Sequence, residues 1–114
     1  MIVDLRSDTV TVPSKGMLEF MMDSNVEDDV YGEDPTVNQL QNKVASIFGK
    51  DVGMFFPSGT MANQTAIKLH TNPGEQIICD KYSHIYNYEG GGASFNSGVS
   101  FNLINGERGM FNAK

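Results

Sequence analysis

The sequence predicts an α/β fold built on a mostly parallel sheet with flanking helices, and three observations carry that expectation. Short apolar runs at residues 52–56, 76–80 and 99–104 have the length of buried strands. Between them lie two segments opened by small polar residues, Ser58-Gly59-Thr60 leading to about His70, and Ser83 leading to Gly90-Gly91-Gly92. Turn residues, Asn72-Pro73-Gly74 and Asn105-Gly106, punctuate the alternation. Strand–helix–strand–helix–strand order implies parallel strands joined by right-handed crossovers.

The first half reads differently. Residues 4–11, Asp-Leu-Arg-Ser-Asp-Thr-Val-Thr, are polar with no helical period, an arm suited to lying across another surface. Ser14 is placed to cap a helix to about Met22, with Met17, Leu18, Phe20 and Met21 turned inward. Residues 27–34, Glu-Asp-Asp-Val-Tyr-Gly-Glu-Asp, form an acidic loop that reads as a solvated turn and lacks the ligand register of a calcium loop. Tyr31 is the odd residue there, a phenol among carboxylates, either pinned or functional. Pro35-Thr36 opens the clearest helix. Thr36 and Gln39 have capping-box spacing, Val37, Leu40, Val44, Ile47 and Phe48 share a face, and Gly49 suits a left-handed stop.

The strand expected at residues 52–56 ends at Pro57, and the turn after it is the strongest candidate for chemistry. A helix start leaves backbone N–H groups unpaired and carries partial positive charge, a seat for phosphate. Ser58 and Thr60 add hydroxyls, and Gly59 permits close approach. The same pattern also occurs in plain capped helices. It is neither a P-loop nor a nucleophile elbow. In open parallel sheets ligands bind beyond the carboxyl ends of strands, where residues 82–89 also fall. There His84 precedes Tyr86, Tyr88 and Glu89. Its imidazole can stack on an aromatic ligand or act as a base near neutral pH, or it can be a surface histidine in a tyrosine-rich turn. His70, near a helix end, reads as a favourable cation there.

Composition sets the class. The 114 residues are 39% hydrophobic and 19% charged, as in a globular domain. A net charge of −6 argues against nucleic acid or an anionic membrane as partner. The apolar runs are too short to span a bilayer, and the start carries no export signal. One cysteine, Cys79, excludes an internal disulfide and multi-cysteine metal sites, and no metal is expected. Together these point to the cytoplasm.

Four motifs then carry a resemblance. Residues 4–11, the run Asp-Asp-Val-Tyr-Gly-Glu-Asp-Pro-Thr at 28–36, Phe-Pro-Ser-Gly-Thr-Met-Ala-Asn at 56–63, and His84-Ile85 with Tyr88-Glu89 resemble the low-specificity threonine aldolases. That family has the aspartate-aminotransferase-like fold and uses pyridoxal 5'-phosphate. The resemblance implies that Ser58, Gly59 and Thr60 hold the cofactor phosphate and that His84 stacks on its ring near the substrate hydroxyl. It implies that Ser7 helps bind the amino acid carboxylate, and that Tyr31 and Tyr88 line the pocket, with Glu89 less clearly assigned beside them. The implied reaction is retro-aldol cleavage of threonine or allo-threonine to glycine and an aldehyde, with His84 receiving the hydroxyl proton.

The lysine that holds the cofactor covalently, its acidic partner and the main carboxylate-binding arginine have no counterpart among these residues. The chain is therefore expected to be an N-terminal fragment, inactive and prone to association alone. Residues 1–50 would form an arm and helices, and 51–114 the start of the cofactor-binding large domain. The family implies a small amino-acid substrate and a homo-oligomer, usually a tetramer. A β-eliminating or other carbon–carbon lyase of the same fold is an alternative, and a non-catalytic binding or assembly module is a third.

Overall fold

The computed structural model describes residues 3–113. The chain divides into two compact units, Met1–Phe55 and Phe56–Lys114.

The first unit is helical. After a short 3-10 turn at Asp8–Val10, helix α1 spans Lys15–Asp23, and Ser14 Oγ accepts the Met17 amide at 3.3 Å, the expected cap. A second 3-10 turn, Asp29–Tyr31, leads into helix α2, Pro35–Phe48. The cap of α2 differs from the expected Thr36. Asp34 Oδ1 accepts the amides of Thr36 and Val37, each at 2.9 Å, with Pro35 in the first turn. A carboxylate satisfies two orphan amides where a hydroxyl satisfies one, and proline fits a position whose N–H has no partner. Oδ2 accepts the Glu27 amide at 3.1 Å, so one buried side chain closes the acidic loop and starts the helix. The Val37 and Glu27 amides outweigh burial and hold this carboxyl below its ordinary value of 3.8. Gly49 stops α2 in the left-handed region, with φ 60° and ψ 39°.

Two expectations fail in this unit. Met17, Leu18, Phe20 and Met21 are all substantially exposed, as are Leu40, Val44, Ile47 and Phe48, and α2 buries Ala45 instead. Phe20, Val37, Leu40 and Phe55 line an apolar groove of about 510 Å³. Residues 52–56 form no strand. A strand needs a neighbour for its N–H and C=O groups, and here Phe55 N–H donates to Gln41 Oε1 of α2 at 2.9 Å.

The second unit contains the sheet. Helix α3 spans Gly59–His70 and strand β1 Gln76–Asp80. Short helices α4 and α5 cover His84–Asn87 and Gly92–Ser97, and strand β2 covers Ser100–Ile104. The two strands pair in parallel, Gln76 opposite Ser100 through Asp80 opposite Ile104. Among the described residues this is a two-stranded α/β sheet, where three strands were expected. Cys79, Ala93 and Val99 form its small buried core, while Ile78 is exposed rather than buried. Asp80 is buried and bonded: Oδ1 accepts the Tyr82 amide and Oδ2 the Gly106 amide, each at 2.7 Å. Ser83 precedes α4, but its side chain does not cap it and donates to Cys79 Sγ at 3.2 Å. Helix α5 was not anticipated. The triple glycine separates two helices where the sequence reading had one segment end. Among the described residues no helix is long and apolar enough to cross a membrane.

Candidate active site

The second unit holds five of the expected site residues. Ser58, Gly59 and Thr60 open α3. Ser58 is extended, with φ −151° and ψ 151°, and its Oγ accepts the Met61 amide at 3.1 Å. The Ala62 amide reaches Ser58 O at 3.1 Å. Among the described residues, the Gly59 and Thr60 amides and the Thr60 hydroxyl have no hydrogen-bond partner. A Cβ added to Gly59 would meet nothing within 4 Å, so neither crowding nor a positive φ calls for glycine there. What the residue does is leave the amides uncovered at the positive end of a 12-residue helix.

His84 begins α4, and its Nδ1 lies 3.0 Å from Glu89 Oε1. The same oxygen accepts Asn63 Nδ2 at 2.7 Å, and Oε2 accepts Gln64 Nε2 at 2.5 Å. Asn63 and Gln64 belong to α3, so one carboxylate joins the imidazole to the helix that carries the Ser58 turn. The Glu89 side chain is fully buried, while that of His84 is 62% exposed. Burial by itself would raise the Glu89 pKa. The Asn63 and Gln64 amides, then His84 through its hydrogen bond and charge, outweigh it and hold the carboxyl below its ordinary 4.5. Space for this arrangement depends on Gly92. A Cβ there would sit 2.8 Å from Gln64 Cδ and push the amide off Glu89.

Tyr88 packs near the imidazole, ring centroids 5.5 Å apart and planes tilted by 42°. Tyr86 turns instead to Phe101 in an edge contact at 5.2 Å. A second-unit cavity of about 780 Å³ is lined by other residues, among them Asp80, Tyr82 and Arg108. Ser7 and Tyr31 belong to the first unit. The Ser7 hydroxyl is engaged locally, accepting from Thr9 N and Thr9 Oγ1 and donating to Asp8 Oδ1. Tyr31 is exposed at the end of its 3-10 turn. Among the described residues no three His, Cys, Asp or Glu side chains cluster as metal ligands.

Residues 4–114 match the family described as Beta-eliminating lyase. The chain belongs to the beta-eliminating lyase family. It is similar to a low specificity L-threonine aldolase of Escherichia coli, 52% identical over 93 residues that cover 82% of this chain and 28% of that protein. A probable low-specificity L-threonine aldolase 2 of Arabidopsis thaliana is 45% identical over 106 residues, 92% of this chain and 30% of that protein. A low specificity L-threonine aldolase of Saccharomyces cerevisiae is 43% identical over 90 residues, 78% of this chain and 23% of that protein. The chain thus spans less than a third of the length of these relatives.

In this beta-eliminating lyase family member, sequence reasoning passed over Asn63 and Gln64 and gave Glu89 no firm role. The available signal was a lone carboxylate between tyrosine and three glycines. A Glu in so crowded a turn must be either solvated or paired, and its partners stand 25 and 26 residues upstream.

Proposed function

We propose that this chain serves a pyridoxal-phosphate-dependent lyase of the aspartate-aminotransferase-like fold. Its reaction would be cleavage of threonine-type β-hydroxy-α-amino acids to glycine and an aldehyde. In this reading residues 1–50 form an arm and helices, and residues 51–114 begin the cofactor-binding large domain. It extends to a cytoplasmic homo-oligomer, tetrameric by resemblance. One observation carries the proposal: the Glu89 carboxylate ties α3, whose first turn offers free amides, to the His84 imidazole. The names of the relatives support the choice of substrate.

The residues fit such a cofactor. The phosphate would take the Gly59 and Thr60 amides, the Thr60 hydroxyl, and the proton of Ser58 Oγ, whose lone pair serves Met61. The open space around Gly59 admits an anion to the backbone. His84 has the exposure to lay a ring face on a flat heteroaromatic ligand, with Tyr88 beside it.

Bound pyridoxal phosphate supplies a sink for the electron pair released when the Cα–Cβ bond breaks. The chain's own residues bind and move the proton. His84 Nε2 receives the β-hydroxyl proton, directly or through water, since Nδ1 is held by Glu89. Tyr88, beside the imidazole, would line the pocket. By the resemblance alone, Tyr31 would line the pocket and Ser7 would contribute to the substrate carboxylate site.

The family description favours a second reading, β-elimination on the same cofactor. A product assay on the intact protein supplied with pyridoxal phosphate separates the two. Glycine plus acetaldehyde from threonine supports the aldolase reading. Ammonia plus pyruvate from serine, without glycine from threonine, overturns it.

A further inference from the structure

We propose that Glu89 is a positioning residue: its buried carboxylate holds the His84 imidazole as the tautomer protonated at Nδ1, leaving Nε2 as the ring's free lone pair. This rests on the reading of His84 as the proton acceptor and says which nitrogen accepts and what fixes it.

The geometry of the carboxylate carries the inference. Asn63 Nδ2 approaches Oε1 at 2.7 Å and Gln64 Nε2 approaches Oε2 at 2.5 Å, so each oxygen faces an amide donor. A carboxylate surrounded by donors accepts only. The third approach, Nδ1 to Oε1 at 3.0 Å, must then bring a hydrogen of its own, and that hydrogen is Nδ1–H. The Glu89 side chain has no exposure to exchange these partners for water. Histidine free in water prefers the opposite tautomer, so the pairing imposes a state the ring does not choose alone.

Among the described residues Nε2 has no hydrogen-bond partner. The fixed end of the imidazole is therefore the buried end, and the free end is the one available to a ligand. Because Asn63 and Gln64 are on α3, the carboxylate also keeps the ring in register with the turn at Ser58. Gly92 preserves the clearance that Gln64 needs to reach Oε2.

The competing arrangement is a neutral Glu89 whose O–H donates to Nδ1. It would place the ring proton on Nε2, which could then donate but not accept. The two arrangements differ in a property read without cofactor or turnover.

The experiment is NMR of the intact, cofactor-free protein with histidine ring nitrogens isotopically labelled, in alkaline buffer where imidazole is neutral. The His84 signal is assigned by its loss in His84→Gln. A pyrrole-type shift at Nδ1 and a pyridine-type shift at Nε2 support the proposal, and the reverse pattern overturns it. Glu89→Leu, which leaves Nδ1 no oxygen to donate to, should shift the ring toward the Nε2–H tautomer and lower kcat by roughly tenfold or more, part of the ~10²–10⁴ a positioned base contributes. Glu89→Gln, whose carbonyl can still accept from Nδ1, should keep more of the original tautomer. An unchanged tautomer in Glu89→Leu also overturns the proposal. If Glu89→Leu does not fold, the spectrum of the unaltered protein decides. His84→Ala retaining full lyase turnover would instead sink the functional reading, whatever the tautomer, so the two failures are distinct.

Discussion

Asp80 Oδ2 accepts the Gly106 amide at 2.7 Å, fastening the carboxyl end of β1 to the turn that follows β2. A Cβ on Gly106 would lie 2.7 Å from that oxygen and 2.6 Å from Met110 O. Backbone carbonyls cannot swing aside as a flexible side chain can. Gly106→Ala is expected to destabilise the intact protein by on the order of 1–3 kcal/mol, read as a lowered urea midpoint at unchanged slope. Asp80→Ala, which leaves the Tyr82 and Gly106 amides unpaired, should cost about as much.

Gly59→Ala separates folding from ligand binding. The added methyl meets nothing within 4 Å, so the thermal midpoint of the cofactor-free protein should hold or rise slightly. If the amides of residues 59 and 60 seat a phosphate, the same methyl intrudes on it. Cofactor Kd should then rise by roughly tenfold, about 1.4 kcal/mol, in a fluorescence titration. Unchanged affinity would remove the phosphate from this turn.

Ser58→Ala removes both the helix cap and one phosphate donor, so stability and affinity should fall together. The cap alone is worth about 1 kcal/mol, and Ser58→Gly should lose only a few tenths. Thermal melts of the two variants without cofactor test this.

His84→Ala should cut turnover by roughly 10²–10⁴ while changing cofactor affinity much less. Equal losses in both, measured by steady-state kinetics and cofactor titration, would assign the ring to binding alone.

The Glu89 carboxyl has a folded-state pKa below its ordinary 4.5. A lowered carboxyl pKa adds stability that is fully present above the unfolded value. That stability is lost as pH falls from there through the folded value. In the first unit Asp34, held below 3.8 by its amide partners, has the same effect on that unit alone. Acid unfolding of the second unit should therefore begin below about pH 4.5 and be less steep in Glu89→Gln, as followed by circular dichroism against pH.

What was legible in the sequence was local. Ser14 and Ser58 announced helix starts because a hydroxyl reaches the amide three residues on, within one turn of chain. Gly49 announced a stop because the left-handed conformation favours glycine. The β1 and β2 runs were visible as short apolar stretches between turns. What was not legible depended on a distant partner. Residues 52–56 have the composition of a strand, but pairing is a property of two segments, and Gln41 claims the Phe55 amide. Asp34 displaced Thr36 as the α2 cap because it also had Glu27 to hold, a demand invisible to a four-residue motif. At the candidate site the same division holds. Ser58 and His84 stood out by type and place, whereas Glu89 acquires its role only from Asn63 and Gln64 on another helix.

The parallel register of β1 and β2 sets Asp80 beside Ile104, with the Lys81 amide bonded to Ile104 O at 3.0 Å. Whatever the chain carries after either strand therefore emerges on one common rim, the rim from which α4 and its histidine also start. Lengthening the turn at residues 107–110, closed by the Glu107–Met110 bridge, would change the approach to that rim while leaving the ladder untouched. Additions at Pro73 would land on the opposite border. The loops of that rim and the turn at Pro73 can therefore be edited independently, at opposite ends of the same two strands.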